Sequence, residues 1–152
     1  MLASIYEYGG AHVSQDYAKA KELYERAWNE WRLVLAAQKL GRFYYHGHGV
    51  KADYDRAFYY YSKLENSIDA VGLLSLGWLY ETGRGVTSDI NRARDLYRRS
   101  ARLGNIQARK HWGFLEIKHG HPVFGIILWA WAIVEGVLAA FIKAKHGRLQ
   151  SY

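Results

Sequence analysis

The apolar positions of this chain recur at helical spacing, and the recurrence itself repeats. In Val71–Glu81, Leu73, Leu76, Leu79 and Tyr80 lie three or four residues apart, which predicts one buried helix face. Val34–Tyr45 has the same pattern, with Leu40 and Tyr44 standing 36 residues before Leu76 and Tyr80. Each stretch runs into Gly-x-Gly-Val, at Gly47–Val50 and Gly83–Val86. Glycine there predicts a helix end, because the left-handed cap conformation suits it best. Asp53, and Ser88 or Asp89, are placed to cap a second helix. Its inward face reads Ala57, Tyr60, Tyr61 and Leu64 in one unit, and Ala93, Leu96 and Tyr97 in the next.

Three glycines keep the period: Gly41, Gly77 and Gly113, 36 residues apart. A glycine inside a helix costs about 1 kcal/mol relative to alanine. The expected compensation is close approach of a neighbouring helix. A fixed period in this range predicts a solenoid built from helix pairs. The first residues follow the pattern in degenerate form. Leu2 and Tyr6 match Leu40 and Tyr44, Gly9 to Val13 replaces the turn with one extra residue, and Asp16, Ala20 and Tyr24 follow in order. The predicted division is a degenerate repeat at 1–32, full repeats at 33–67 and 68–103, and a half repeat at 104–120, which together make a repeat domain at 1–120.

The composite pattern is Ala-x4-Leu/Gly-x2-Tyr-x2-Gly-x-Gly-Val-x2-Asp-x3-Ala-x3-Tyr. It resembles the Sel-one-like repeat (SLR), a relative of the tetratricopeptide repeat, over roughly residues 1–120. The resemblance implies an all-α fold: a right-handed α/α superhelix of about three helix pairs plus the half repeat, followed here by a long hydrophobic C-terminal helix. It also implies protein-binding scaffolds, in bacteria often adaptors of envelope, secretion or stress pathways. In this class the first helices line the inner face. Positions related by the period are Arg42, Trp78 and Phe114; Tyr45, Glu81 and Ile117; and Gln38, Leu74 and Lys110. These nine form the expected protein-binding surface, with Trp78 and Phe114 as anchors because exposed aromatics concentrate binding energy.

Past Gly120 the period breaks. Val123–Ile142 is twenty residues with one charge, Glu135. A bilayer core asks for about 20 apolar residues in a helix, and a helix apolar on all sides belongs in a membrane or a large core. Pro122 suits a first helical turn, and Lys143, Lys145 and Arg148 follow as interfacial cations. The segment 121–145 is therefore expected to anchor the chain to a membrane, with 146–152 as a basic, polar tail. The alternative is a helix that caps the solenoid or fills a partner's groove. Ala132, Gly136 and Ala140 make a small-residue stripe beside Glu135 and Trp129. That stripe predicts docking against a membrane protein, which would supply a basic or hydroxyl group to Glu135.

Composition changes little in this picture. The net charge is +7, but the basic residues are spread over several segments. The densest run is Arg92, Arg94, Arg98, Arg99 and Arg102, of which Arg92, Arg99 and Arg102 fall near one side on a predicted convex face, so nucleic acid is not an expected partner. Thirteen Tyr and six Trp favour a packed chain with interaction surface. There is no Cys, hence no disulfide and no thiolate metal site. His46, His48, His119 and His121 sit in turns without the further ligands that zinc requires. The Gly-x-Gly turns lack the strand and the Lys-Ser/Thr of a phosphate loop. No catalytic constellation, cofactor site or small-molecule site is predicted. The N-terminus has no basic segment followed by an apolar one, which is not the pattern of a signal peptide. The expected protein is a non-catalytic adaptor, an accessory subunit of a membrane assembly. Its repeats are expected on the cytoplasmic side of a bacterial inner membrane. The alternative is a soluble inhibitor or immunity-type binding module.

Overall fold

The computed structural model describes residues 2–10 and 13–149, with side chains as far as Lys143. Residues 150–152 of the basic tail, and the side chains of Lys145 and Arg148, lie outside the described residues. The described part is a right-handed α/α superhelix of eight helices. They are α1 (Leu2–Tyr8), α2 (Tyr17–Trp31), α3 (Val34–His46), α4 (Tyr54–Ser62), α5 (Ala70–Thr82), α6 (Ile90–Arg102), α7 (Ile106–Lys118) and α8 (Pro122–Leu149).

The predicted punctuation works in each unit. Asp16, Asp53 and Asp89 are extended N-cap residues, and each accepts a hydrogen bond from the backbone N–H three residues on, at Lys19, Arg56 and Arg92. Gly47 and Gly83 end the first helices at φ 72° and 69° and donate to the carbonyls of Phe43 and Leu79. That backbone region is open to glycine at little steric cost. One further bond recurs in three units: Asp16, Asp53 and Asp89 donate their N–H to the carbonyls of Tyr6, Tyr44 and Tyr80. The degenerate first unit is thus a true member of the series. Each turn also rests on the unit before it. A Cβ on Gly49 would lie 2.6 Å from the Tyr17 Cβ, and Gly85 meets the Tyr54 carbonyl.

The close approach expected at the helical glycines is present. A Cβ on Gly41 would lie 2.7 Å from the Tyr61 ring, and a Cβ on Gly77 would lie 2.7 Å from the Tyr97 ring. Both rings belong to the returning helix and are buried. Around them the core holds Ala36, Ala37, Leu40, Phe43, Leu73, Leu76, Leu79, Ala93 and Leu96.

The fourth unit is where the structure chooses between two expectations. Sequence reading leaves it as a half repeat at 104–120, followed by a hydrophobic helix that either anchors the chain to a membrane or caps the solenoid. In the structure α8 is the mate of α7. Gly125 donates its N–H to the His121 carbonyl at 2.9 Å, as Ala57 does to Asp53 and Ala93 to Asp89. A Cβ on Gly113 would meet the Gly125 carbonyl at 2.8 Å and the Trp129 Cβ at 3.2 Å. His121, Gly125 and Trp129 therefore occupy the Asp, Ala and Tyr places of the earlier units. The Gly-x-Gly-Val turn is absent and the loop is shorter, and this hides the correspondence in the sequence. The expected first-turn place of Pro122 is observed, as the first residue of α8.

Three consequences can be measured. Gly77→Val drives side-chain atoms into the Tyr97 ring and should destabilise the fold by about 1–3 kcal/mol in urea denaturation. Gly136, where a Cβ would meet nothing within 4 Å, should show the opposite sign, since Gly136→Ala relieves a helical glycine and should stabilise by about 0.5–1 kcal/mol. Burial pushes the Tyr61 phenol from its ordinary 10.0 up to about 12. Its folded form favours the proton, so this contribution to stability is complete below about pH 10 and is lost as pH rises through about 12. Alkaline titration followed by tyrosinate absorbance and helical dichroism should show unfolding in that window, less steeply for Tyr61→Phe.

Candidate functional site

The inner face of the superhelix is built from α3, α5 and α7, and between them lies a groove of about 270 Å³. α3 contributes Arg42, Tyr45 and His46; α5 contributes Val71, Leu74, Ser75 and Trp78; Tyr61 closes the floor from α4 and His111 the far end from α7. Four residues expected to bind protein meet here: Arg42, Tyr45, Leu74 and Trp78. The helical period explains the meeting, since residues three, four and seven apart share a face and the 36-residue offset brings equivalent faces side by side.

Aromatic packing orients the wall. The Tyr45 ring meets Trp78 edge-on at 5.1 Å between centroids and Tyr54 edge-on at 5.7 Å. The Arg84 guanidinium lies 4.9 Å over Trp78 and 5.0 Å over Tyr54, with Arg84 Nη1 donating to the Tyr54 hydroxyl at 3.0 Å. Trp78 is thus held between a tyrosine edge and a cation, yet it remains only partly buried.

The groove is basic and apolar, and no carboxylate lines it. His46 is held below its usual range by burial, and then by the nearby His48 and Arg42. It is accordingly neutral near pH 7, which leaves Arg42 as a fixed cation of the wall. Arg42 is itself anchored. It pairs with the buried Glu7 and donates to the Tyr8 hydroxyl at 3.0 Å. Lys39 joins the same carboxylate at 2.9 Å, and Tyr24 donates to it at 2.8 Å. Two cations and a phenol compensate this buried acid, which otherwise would be costly to desolvate.

The other expected binding residues lie elsewhere. Gln38 sits beside the groove and donates to Asp69 at 2.9 Å. Glu81 accepts the Tyr97 hydroxyl, so it is engaged within its own unit. Lys110 is partly buried on α7 and does not line the groove. Phe114 and Ile117 belong to the α7–α8 junction: Phe114 is exposed and its ring meets Trp129 at 6.0 Å, while Ile117 packs against Gly125. Sequence reasoning missed His46, Tyr61, Val71, Ser75 and His111. Ser75 and His111 stand 36 residues apart on the row beside Leu74 and Lys110. Extending the periodic reading by that neighbouring row finds them.

Of the five helix-packing residues expected on α8, Trp129 and Ala132 face α7, where Ala132 is completely buried. Gly136 is partly exposed and Ala140 exposed. Glu135 finds its cation inside the chain, in an ion pair with Arg109 of α7. This differs from the expected base on a membrane partner, because the packing of α8 on α7 brings the two charges together. The remainder of α8 is bare. Pro122–Lys143 has a mean hydropathy of 2.1 and is long and apolar enough to cross a bilayer, and only 17% of the residues in its apolar stretch are buried. Two of the basic residues of α6 contact Glu65: Arg92 pairs with its carboxylate at 3.3 Å, and Arg99 donates to its carbonyl. Among the described residues no three or more His, Cys, Asp or Glu side chains gather in a metal-binding arrangement.

Comparison with known proteins gives these features a setting. The chain is 34% identical over 116 residues to protein sel-1 homolog 2 of Mus musculus, covering 71% of this chain and 17% of that protein. It is 35% identical over 83 residues to the ERAD-associated E3 ubiquitin-protein ligase component HRD3A of Arabidopsis thaliana, covering 51% of this chain and 12% of that one. The chain therefore spans less than a fifth of these curated relatives. A protective antigen of uropathogenic Escherichia coli with an SLR fold superposes with a TM-score of 0.78 at 28% identity, over 88% of this chain and 29% of that chain. A Sel1 repeat protein from Oxalobacter formigenes gives 0.74 at 26% identity, over 86% and 56%. Sel1 repeat proteins act in protein–protein interaction. The family model for the Sel1 repeat matches residues 1–27, 34–64 and 70–105, more than half of the sequence and in the same three units that the caps and glycines mark out. By sequence and by fold, the chain belongs to the Sel1 repeat family.

Proposed function

We propose that this protein is a non-catalytic adaptor that holds a partner protein in the groove of α3, α5 and α7 and associates with a membrane or membrane complex through α8. The observation that carries the first half is the groove wall itself. Trp78, Tyr45, Leu74 and Val71 line the groove with apolar surface, with Arg42 beside it. A partly exposed, orientationally fixed Trp next to a cation is the composition of an interface anchor. The groove has no carboxylate, so a partner segment with aromatic or aliphatic side chains and a nearby acid complements it best.

The membrane half is supported by the bare apolar flank of α8, larger than a monomer in water ordinarily tolerates. In this reading the partner belongs to a membrane assembly, the protein is an accessory subunit of it, and the repeats stand on the cytoplasmic side of a bacterial inner membrane.

Because α8 covers α7, deleting it would uncover the Gly113 face, and point substitutions make the cleaner test. Trp78→Ala in the full chain should lower retention of the partner by roughly 30-fold, the effect of losing about 2 kcal/mol at an anchor residue. Helical dichroism should stay intact. Affinity purification with mass spectrometry, wild type beside variant, reads the result. A partner retained equally by both would place the binding face elsewhere. Release of the full chain from isolated membranes by high salt alone would argue against the apolar attachment.

A further inference from the structure

We propose that α8 lies along the surface of an anionic bilayer, with its outer face sunk below the headgroups, and does not cross the membrane. The proposal rests on the membrane association proposed above and specifies its geometry.

The inner side of α8 is already occupied. Gly125, Leu128 and Ala132 are buried on the face turned to α7, and Gly113 and Gly125 bring the two backbones into near contact. Farther along, Glu135 is paired with Arg109, whose guanidinium also lies 4.9 Å over the Trp131 ring. These contacts hold α8 from its first turn to Glu135. α7 cannot accompany α8 into hydrocarbon, for it carries Arg109, Lys110, Glu116 and Lys118. Moreover, Glu116 is tied to Arg94 of α6 at 2.7 Å. A crossing α8 would have to shed α7 or drag these charges with it.

The outer side is free and has one character. Val123, Ile127, Ala130, Val134, Val137 and Phe141 fall on the line opposite α7 at helical spacing. Val123 is 72% exposed, Val134 63% and Phe141 64%. This line runs about 27 Å at 1.5 Å per residue, and none of its side chains is charged or able to hydrogen-bond. Lys118 stands before it and Lys143 after it.

α8 alone is not amphipathic, since it is apolar on every side. The α7–α8 hairpin is amphipathic: α7 supplies the polar side and α8 the apolar one. That is the division found in helices that lie in a membrane interface. The flanking lysines and the net charge of +7 favour anionic headgroups. A protein occupant fits less well, because interfaces carry about one hydrogen bond per 100–200 Å² and this face offers no group to make one.

The chain has no cysteine, so single nitroxide labels can be placed cleanly. Val123→Cys, Ile127→Cys, Val134→Cys and Phe141→Cys all alter exposed side chains and should leave the fold intact. The labelled full-length protein is bound to vesicles of phosphatidylcholine and phosphatidylglycerol, and label depth is read by electron paramagnetic resonance. A helix in the surface plane places all four labels at one shallow depth, about 5–10 Å below the headgroup boundary. A profile that is deepest near Val134, at about 15 Å, and shallow at Val123 and Phe141 would mean a crossing helix. The in-plane proposal would then fall while membrane association stands. Failure to bind the vesicles would overturn the in-plane proposal and direct lipid association together, and leave attachment through a protein of the membrane complex as the remaining form of the proposed function. Spin–spin broadening without lipid contact would overturn the proposal in favour of a second copy covering the face.

Discussion

A helical glycine beneath an aromatic ring is the contact on which this architecture depends. Gly41 lies beneath Tyr61, and Gly77 beneath Tyr97. Any side chain at either glycine would push the returning helix outward and open the pair. The intrinsic cost of glycine in a helix, about 1 kcal/mol, is offset by the burial of a whole tyrosine ring at close range. In the fourth unit the same logic survives with other residues. Gly113 meets the backbone of Gly125 and Trp129, so a glycine–backbone contact replaces the glycine–ring contact.

Around that contact, local polar bonds set the path of the chain. Aspartate caps begin the second helices, and glycine caps end the first ones. Buried charges then tie one unit to the next. Glu7 of α1 holds Lys39 and Arg42 of α3, and Glu116 of α7 takes Arg94 of α6. Three cations, Lys39, Arg42 and Arg94, are thereby engaged between helices. Arg42 serves twice, as the counter-ion of Glu7 and as the cationic edge of the groove. The position of the groove wall thus depends on how α1 seats against α3.

α8 joins two parts of the molecule that read separately along the chain. Its inner face completes the superhelix, and its outer face presents the largest apolar surface of the described residues. The Arg109–Glu135 pair stands where these two roles divide, near the end of the contact with α7. Beyond it α8 continues as a helix to Leu149, longer than any other helix here and past the reach of its mate.

How much of this is legible without coordinates follows from the range of each interaction. Turns and caps are local, so Gly47, Gly83, Asp53 and Asp89 announce themselves by residue type and spacing. The period is redundant, and three copies let Gly41 and Gly77 be read as contact points before any partner is visible. The groove is half legible for the same reason. Arg42, Tyr45, Leu74 and Trp78 follow from the repeat, whereas His111 and Tyr61 enter only when neighbouring units stack. What the period could not reveal is the mate of Gly113. A shortened loop shifts Gly125 and Trp129 out of register, and an all-round apolar sequence carries no mark of which side turns inward. Nor does the sequence pair Glu135 with Arg109, 26 positions earlier. The chain by itself determined the repeat, its caps and its helical glycines, because these depend on short-range backbone geometry. Only the tertiary structure decided that α8 closes the last repeat and leaves one bare face, because that choice is made by the fit of two glycines and two charges distant along the chain.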